Sequence, residues 1–146
     1  MDLTIPIENS FLTIRVAVLA RTKNGFVLEQ SPKGYYYFIG GRVKINETSE
    51  EAAKRELFEE TNVLAENLIF KTTIENFFKL ESENKIVHEI CFVYVPEEEL
   101  VIKELAHNRV EIPVTNFENM DIRPKILKDY IMSGDSRPHV IFKDFI

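Results

Sequence analysis

The sequence has a single cysteine, no apolar stretch long enough to cross a membrane as a helix, and no excess of positive charge. Each shortage removes a class of protein. Cys91, alone and set in an apolar run, has no partner for an internal disulfide, so a buried, reduced thiol is the expected state. No run approaches the ~18 apolar residues of a transmembrane helix, and the N-terminus MDLTIPIENSF lacks the basic start and apolar core of a secretion signal. Neither a membrane nor a secretory role is expected, and the default reading is cytoplasmic. A formal charge of −6 leaves no broad basic face to neutralise a nucleic-acid backbone, so extended nucleic acid is not an expected partner. An acidic chain that handles phosphates needs a metal cation between itself and them.

The common phosphate and metal motifs are missing as well. There is no glycine-rich loop ending in Lys-Ser or Lys-Thr, no GxGxxG and no Asp-rich calcium loop. His88, His107 and His139 lack the spacing of a zinc site. No repeat, linker or low-complexity tract divides the chain. Its 146 residues fit one domain, 1–146, long enough to bury a core.

What is present reads as alternating β-rich segments around one helix. Residues 12–20, LTIRVAVLA, suit a sheet strand, with Arg15 on a solvated face or pointing into a cleft. The turn Lys23-Asn24-Gly25 then joins it in a hairpin to FVLEQ at 26–30. Tyr35 to Ile39 form a short aromatic strand ending at the pair Gly40-Gly41. Strand side chains alternate, so Tyr35, Tyr36 and Tyr37 cannot all face the core. Segments 68–80 and 85–95, joined by the polar residues Glu81-Ser82-Glu83-Asn84, read as a second hairpin. Residues 97–120 are expected to be a long irregular connection with a short strand around 111–114. Residues 121–131 follow as a helix with Pro124 in its first turn and Gly134 beyond its end, and 139–146 as a terminal strand.

The helix after the glycine pair carries more carboxylate than solubility needs. Its start is expected near Thr48 or Ser49, because Thr48 and Glu51 have capping-box spacing and Glu50 and Glu51 suit the positive end of the helix dipole. Ala52, Ala53 and Leu57 supply the apolar stripe, and Asn62 is a natural stop. With each residue advancing ~100°, Glu56 and Glu60 lie ~40° apart and Glu59 ~60° to the other side, so all three share a face. Carboxylates at that spacing repel one another. Arg55 offers one compensating charge, and a hard divalent cation such as Mg²⁺, which takes carboxylate and carbonyl oxygens and bridges to phosphate, supplies the remainder. A solvated acidic face is the commoner origin of a charge run. The glycine pair, which allows close backbone approach, and Arg55 favour the cation.

Gly41, five residues, Glu47, seven residues, then Arg55-Glu56-Leu57-Phe58-Glu59-Glu60-Thr61-Asn62-Val63 resembles the Nudix box, G-x5-E-x7-R-E-U-x-E-E-x-G-U with U aliphatic. The departures are Asn62 at the last glycine and Ile39 where a proline often precedes the glycine pair. The resemblance implies an α/β (α+β) fold, an α/β/α sandwich around a mixed sheet, with the box as loop–helix–loop. It implies Mg²⁺-dependent hydrolysis, with Mn²⁺ a possible substitute, of a small nucleotide: a nucleoside triphosphate or another nucleoside diphosphate-linked molecule.

On the same resemblance, Glu56 and Glu60 ligate the metal, Glu59 does so directly or through water, and Gly41 offers its carbonyl. Glu47 and Arg55 form a supporting pair, with Arg55 counted in the catalytic set. Glu60 competes with Glu89, Glu104 and Glu111 for the role of general base. Tyr36, Tyr37, Phe77 and Phe78 are candidates to stack on a base; Arg15 and His88 stay unassigned. A catalytically silent Nudix domain that senses a nucleotide is the alternative, and a homodimer through a β edge is possible.

Overall fold

A computed structural model describes residues 1–80 and 82–143. Its strands are β1 (Thr4–Ile7), β2 (Ser10–Val18), β3 (Arg21–Thr22), β4 (Gly25–Gln30), β5 (Tyr36–Arg42), β6 (Leu68–Leu80), β7 (Lys85–Pro96), β8 (Arg109–Ile112), β9 (Ile122–Arg123) and β10 (His139–Lys143). Two α-helices, α1 (Ser49–Thr61) and α2 (Lys125–Met132), and a 3-10 helix, Val114–Asn119, complete the described residues. The sheet order is β10-β6-β7-β2-β5-β4-β3, with β1 on β2, β8 on β4 and β9 on β5. It is mixed: β10/β6, β2/β7 and β5/β9 run parallel and the other pairs antiparallel.

Period-2 alternation divides the apolar side chains between the two faces of this sheet. Val16, Val18, Val27 and Ile39 join Ala52, Ala53 and Leu57 of α1 in one core. Their neighbours Ala17, Leu28 and Phe38 join Phe117, Ile122, Leu127 and Tyr130 in the other. The sheet therefore lies between α1 on one face and α2 with the 3-10 helix on the other, the layering the resemblance implied. Among the described residues no helix is long and apolar enough to cross a membrane.

Helix α1 is bounded as its sequence dictates. Thr48 Oγ1 accepts from the Glu51 N–H at 3.1 Å while Glu51 Oε2 accepts from the Thr48 N–H at 2.9 Å. At the other end Asn62 is left-handed, φ 61 and ψ 21, and its N–H donates to Phe58 O at 2.8 Å. The substitution of asparagine for glycine is thus absorbed by a conformation asparagine tolerates.

Four expectations need correction. Segment 12–20 does not form a hairpin with 26–30, because both edges of β2 are taken, by β5 and β7. The two-residue β3 pairs with β4 instead. Strand β5 does not stop at the glycine pair but runs through it to Arg42. The strand expected at 111–114 is β8, ending at Ile112, since Pro113 has no N–H to continue the ladder and precedes the 3-10 helix. The helix expected from residue 121 starts at Lys125. Pro124 drives Arg123 out of the α region, so Ile122–Arg123 extend as β9 beside β5. The second hairpin forms as read, although Glu81 in its turn lies outside the described residues, as do 144–146 of the terminal strand.

Candidate active site

The glycine pair is a matter of space rather than of unusual φ. A Cβ on Gly40 would lie 2.2 Å from Val16 O, and one on Gly41 2.2 Å from Glu56 Oε1. The Glu56 carboxyl fills the room that a side chain at 41 would need. One residue earlier, the Gly40 N–H donates to Glu60 Oε2 at 3.3 Å. Strand β5 and helix α1 thus meet through two carboxylates, four apart on the helix, against two consecutive glycines.

Arg55 ties the loop between them to the helix. Its Nε and Nη2 donate to the two oxygens of Glu47 at 2.7 and 2.9 Å, Nη2 also to Arg42 O at 3.1 Å, and Nη1 to Glu56 Oε1 at 2.8 Å. The Arg55 hydrogen bonds hold the Glu47 carboxyl below its ordinary range, and the Lys44 N–H adds to this through a 3.0 Å bond. Such a two-pronged arginine–carboxylate contact fixes direction as well as charge. The pairing expected of Glu47 and Arg55 is present.

The three helix carboxylates share a face but not an environment. The side chains of Glu56 and Glu60 are 13% and 12% exposed, whereas that of Glu59 is 52% exposed and sits in water at the rim. Burial raises Glu56, against the pull of Arg55. Burial also pushes Glu60 up to about 7, with Glu56 and Glu29 adding to the rise and Arg109 opposing it. Two largely buried carboxylates whose charged forms are under-compensated make a site short of positive charge, and their oxygens are the hard donors that Mg²⁺ or Mn²⁺ takes. The residues therefore fit the cation: Glu56 and Glu60 would hold it, with Glu59 at the edge. No preformed cage of three acidic, histidine or cysteine side chains exists among the described residues. Arginines hold the two buried carboxylates instead, Arg55 on Glu56 and Arg109 near Glu60.

Arg109 was not anticipated. It sits on β8, with Nη2 3.6 Å from Glu60 Oε1 and Nη1 3.9 Å from Glu29 Oε1. A signal did exist, because in Arg109-Val110-Glu111-Ile112 the apolar Val110 and Ile112 pack on the core of the α2 face. Period 2 then sends Arg109 to the α1 face, where the box lies.

A cavity of about 660 Å³ is lined by Arg15, Glu29, Tyr37, Asn76, Phe78, Glu89, Arg123 and Phe142 among others; its charged wall acts on the box carboxylates through Arg15, which pulls Glu56 down, and Glu29, which raises Glu60. Glu89, 7% exposed, faces Asn76 across β7 and β6. Burial raises its pKa while Arg15 and Arg42 pull it down, and no hydrogen bond reaches its carboxyl among the described residues. Of the aromatic candidates, Tyr37 and Phe78 line the cavity. Tyr36 packs on the core, and Phe77 stacks on His88 with ring centroids 4.2 Å apart, away from the cavity lining. Of the alternatives for a base, Glu89 is in the cavity wall, Glu111 accepts from Asn24 Nδ2 at 3.0 Å near the β3–β4 turn, and Glu104 is exposed between β7 and β8.

Comparison with known families matches the NUDIX domain over residues 11–123, which spans the box and most of the cavity wall. Among solved structures, the MutT protein of Methanosarcina mazei Go1 superposes with a TM-score of 0.66 at 21% identity, covering 88% of this chain and 95% of that one. The mutator MutT protein of Bacillus halodurans gives 0.68 at 16% identity, over 90% of each chain. The ORF135 protein of E. coli gives 0.62 at 18%, over 92% of this chain and 99% of that one. Likeness at such identities concerns the fold alone. Comparison with curated proteins found no match.

Proposed function

The chain belongs to the NUDIX domain family, and from that premise we propose that it hydrolyses a pyrophosphate bond in a nucleoside triphosphate or another nucleoside diphosphate-linked substrate, water attacking phosphorus. The observation that carries this reading is the complete set of box charges, with Glu56 and Glu60 largely buried and Glu29, whose charge acts on Glu60, lining a cavity large enough for a nucleoside. A silent domain that only senses nucleotide would have no use for all of Glu47, Arg55, Glu56, Glu59 and Glu60.

When bound at Glu56 and Glu60, Mg²⁺ or Mn²⁺ supplies charge neutralisation for the diphosphate and Lewis-acid polarisation at phosphorus. The remaining work falls to the chain. Arg55 and Glu47 hold the loop and the Glu56 carboxyl in place. Glu60 takes the proton of the attacking water at an Oε as the new P–O bond forms and the anhydride P–O bond breaks. Tyr37 and Phe78 offer aromatic faces to a base, and Arg15 and Arg123 offer positive charge to phosphate oxygens in the same cavity. The substrate is thus a small nucleotide, and the reaction is carried by one domain.

A panel of nucleoside triphosphates, dinucleotides and sugar conjugates, assayed for phosphate and pyrophosphate release with and without Mg²⁺, tests this. Metal-dependent release from at least one member is expected; none from any member overturns the enzymatic reading.

A further inference from the structure

The two arginines beside the buried box carboxylates are held very differently. Arg55 places Nε, Nη1 and Nη2 on acceptors at 2.7 to 3.1 Å. Arg109 stands 3.6 Å from Glu60 and 3.9 Å from Glu29, both too long for direct hydrogen bonds. Among the described residues its direct bonds run only to its own loop, from Nη1 to Asn108 Oδ1 at 2.8 Å and to His107 O at 3.3 Å. Its Nε is buried with no acceptor among the described residues. A buried donor left unpaired is destabilising. Arg55 is fully engaged, while Arg109 is only loosely held.

The position of Arg109 says what it waits for. Glu29, its direct cross-strand partner on β4, lines the cavity, and Glu60 belongs to the box. The guanidinium thus stands between Glu29 of the cavity wall and Glu60 of the box, without itself lining the cavity. A nucleoside in the cavity whose diphosphate reaches the box by way of Glu29 would carry its phosphates past the guanidinium. Phosphate oxygens match the fork of a guanidinium better than two distant carboxylates do.

We propose that Arg109 is a phosphate-binding residue of the substrate site, parked against Glu60 in the free protein and transferred to the substrate's diphosphate when a cation takes Glu60. The class of ligand rests on the pyrophosphohydrolase reading above. One consequence separates this role from a structural ion pair tying β8 to α1. Without phosphate, the charge of Arg109 opposes a cation at Glu60; with phosphate, the same charge holds the ligand that the cation also binds. Removing it should move the two affinities in opposite directions.

The experiment is isothermal titration of Mg²⁺ alone, and of inorganic pyrophosphate in the presence of Mg²⁺, into the wild-type protein, Arg109→Gln and Arg109→Lys, each first checked for fold by circular dichroism. In Arg109→Gln, Mg²⁺ alone is expected to bind several-fold tighter and pyrophosphate on the order of tenfold weaker, as for loss of one hydrogen bond to a charged group. Unchanged pyrophosphate affinity, or a parallel fall of both affinities, overturns the proposal. If the glutamine variant does not fold, Arg109→Lys, which keeps the charge and loses the fork, is expected to weaken pyrophosphate alone; wild-type affinity there is equally fatal. Opposite shifts in a protein that hydrolyses no nucleotide would sink the enzymatic reading and leave Arg109 standing. Hydrolysis without those shifts would do the reverse.

Discussion

A methyl group on Gly41 would lie 2.2 Å from Oε1 of Glu56. The backbone of Gly41 carries no positive φ, so alanine there costs no conformational strain, only the eviction of that carboxyl. Gly41→Ala is therefore expected to fold, to displace Glu56 from Arg55, and to lack the stabilisation by Mg²⁺ that thermal melts of the wild-type protein are expected to show. A Gly41→Ala protein with a wild-type Mg²⁺ shift would mean that Glu56 does not hold the cation.

Glu60→Gln keeps the shape of the side chain and removes the proton acceptor. It also removes a carboxylate whose charge burial disfavours, so the fold should survive. Turnover is expected to fall by roughly 10²–10⁴, the usual worth of a positioned base. Near-native turnover at saturating Mg²⁺ in the folded variant would take from Glu60 both roles assigned to it.

Arg55→Lys retains the charge and forfeits the two-pronged contact with Glu47. Because the pair is only partly buried, with side-chain exposures of 21% and 15%, the loss is expected to be about 1–2 kcal/mol in a urea melt, below that of a fully buried pair. Glu47 and Glu56 would then be less firmly held, and kcat should fall more than KM rises. A change confined to KM would point to direct substrate contact instead.

Glu89 gives a pH signature. Burial raises its folded pKa above that of the unfolded chain, so between the two values the unfolded state binds fewer protons. Stability therefore falls as pH rises through that window and stays lower above it. Glu89→Gln removes this cost: it should melt higher than the wild-type protein at alkaline pH, with the gain fading as pH drops to about 4, where the unfolded carboxyl is also protonated. A variant that melts lower at alkaline pH would show that Arg15 and Arg42 hold the carboxylate more strongly than burial disfavours it.

The helix and its chemistry were the legible part of the sequence. Thr48, Glu51, Asn62 and the alanine–leucine stripe act locally, and local spacing is what a sequence displays. Sheet order was not legible, because β2 refuses a hairpin with β4 for reasons further along the chain, namely its pairing with β5 on one edge and β7 on the other. The proline boundaries at 113 and 124 were readable in kind and misplaced by a few residues. In the site, the box carboxylates were found by spacing alone, whereas the unequal burial of Glu56, Glu59 and Glu60 needed β5 packed against the helix. Arg109 and Asn76 enter through strands that carry no motif: β8 brings Arg109 to Glu29 and Glu60, and the β6–β7 register sets Asn76 opposite Glu89.

The most direct measurement is turnover of the best nucleotide of the panel in ¹⁸O-labelled water, with the products weighed by mass spectrometry. With Mg²⁺, a single ¹⁸O is expected on one phosphate-containing product, marking the phosphorus attacked, and chelation of the metal should abolish both product and label. Label on a carbon-bound oxygen, or the same products in the presence of chelator, would contradict a cation-dependent attack of water on phosphorus at the Glu56–Glu60 site.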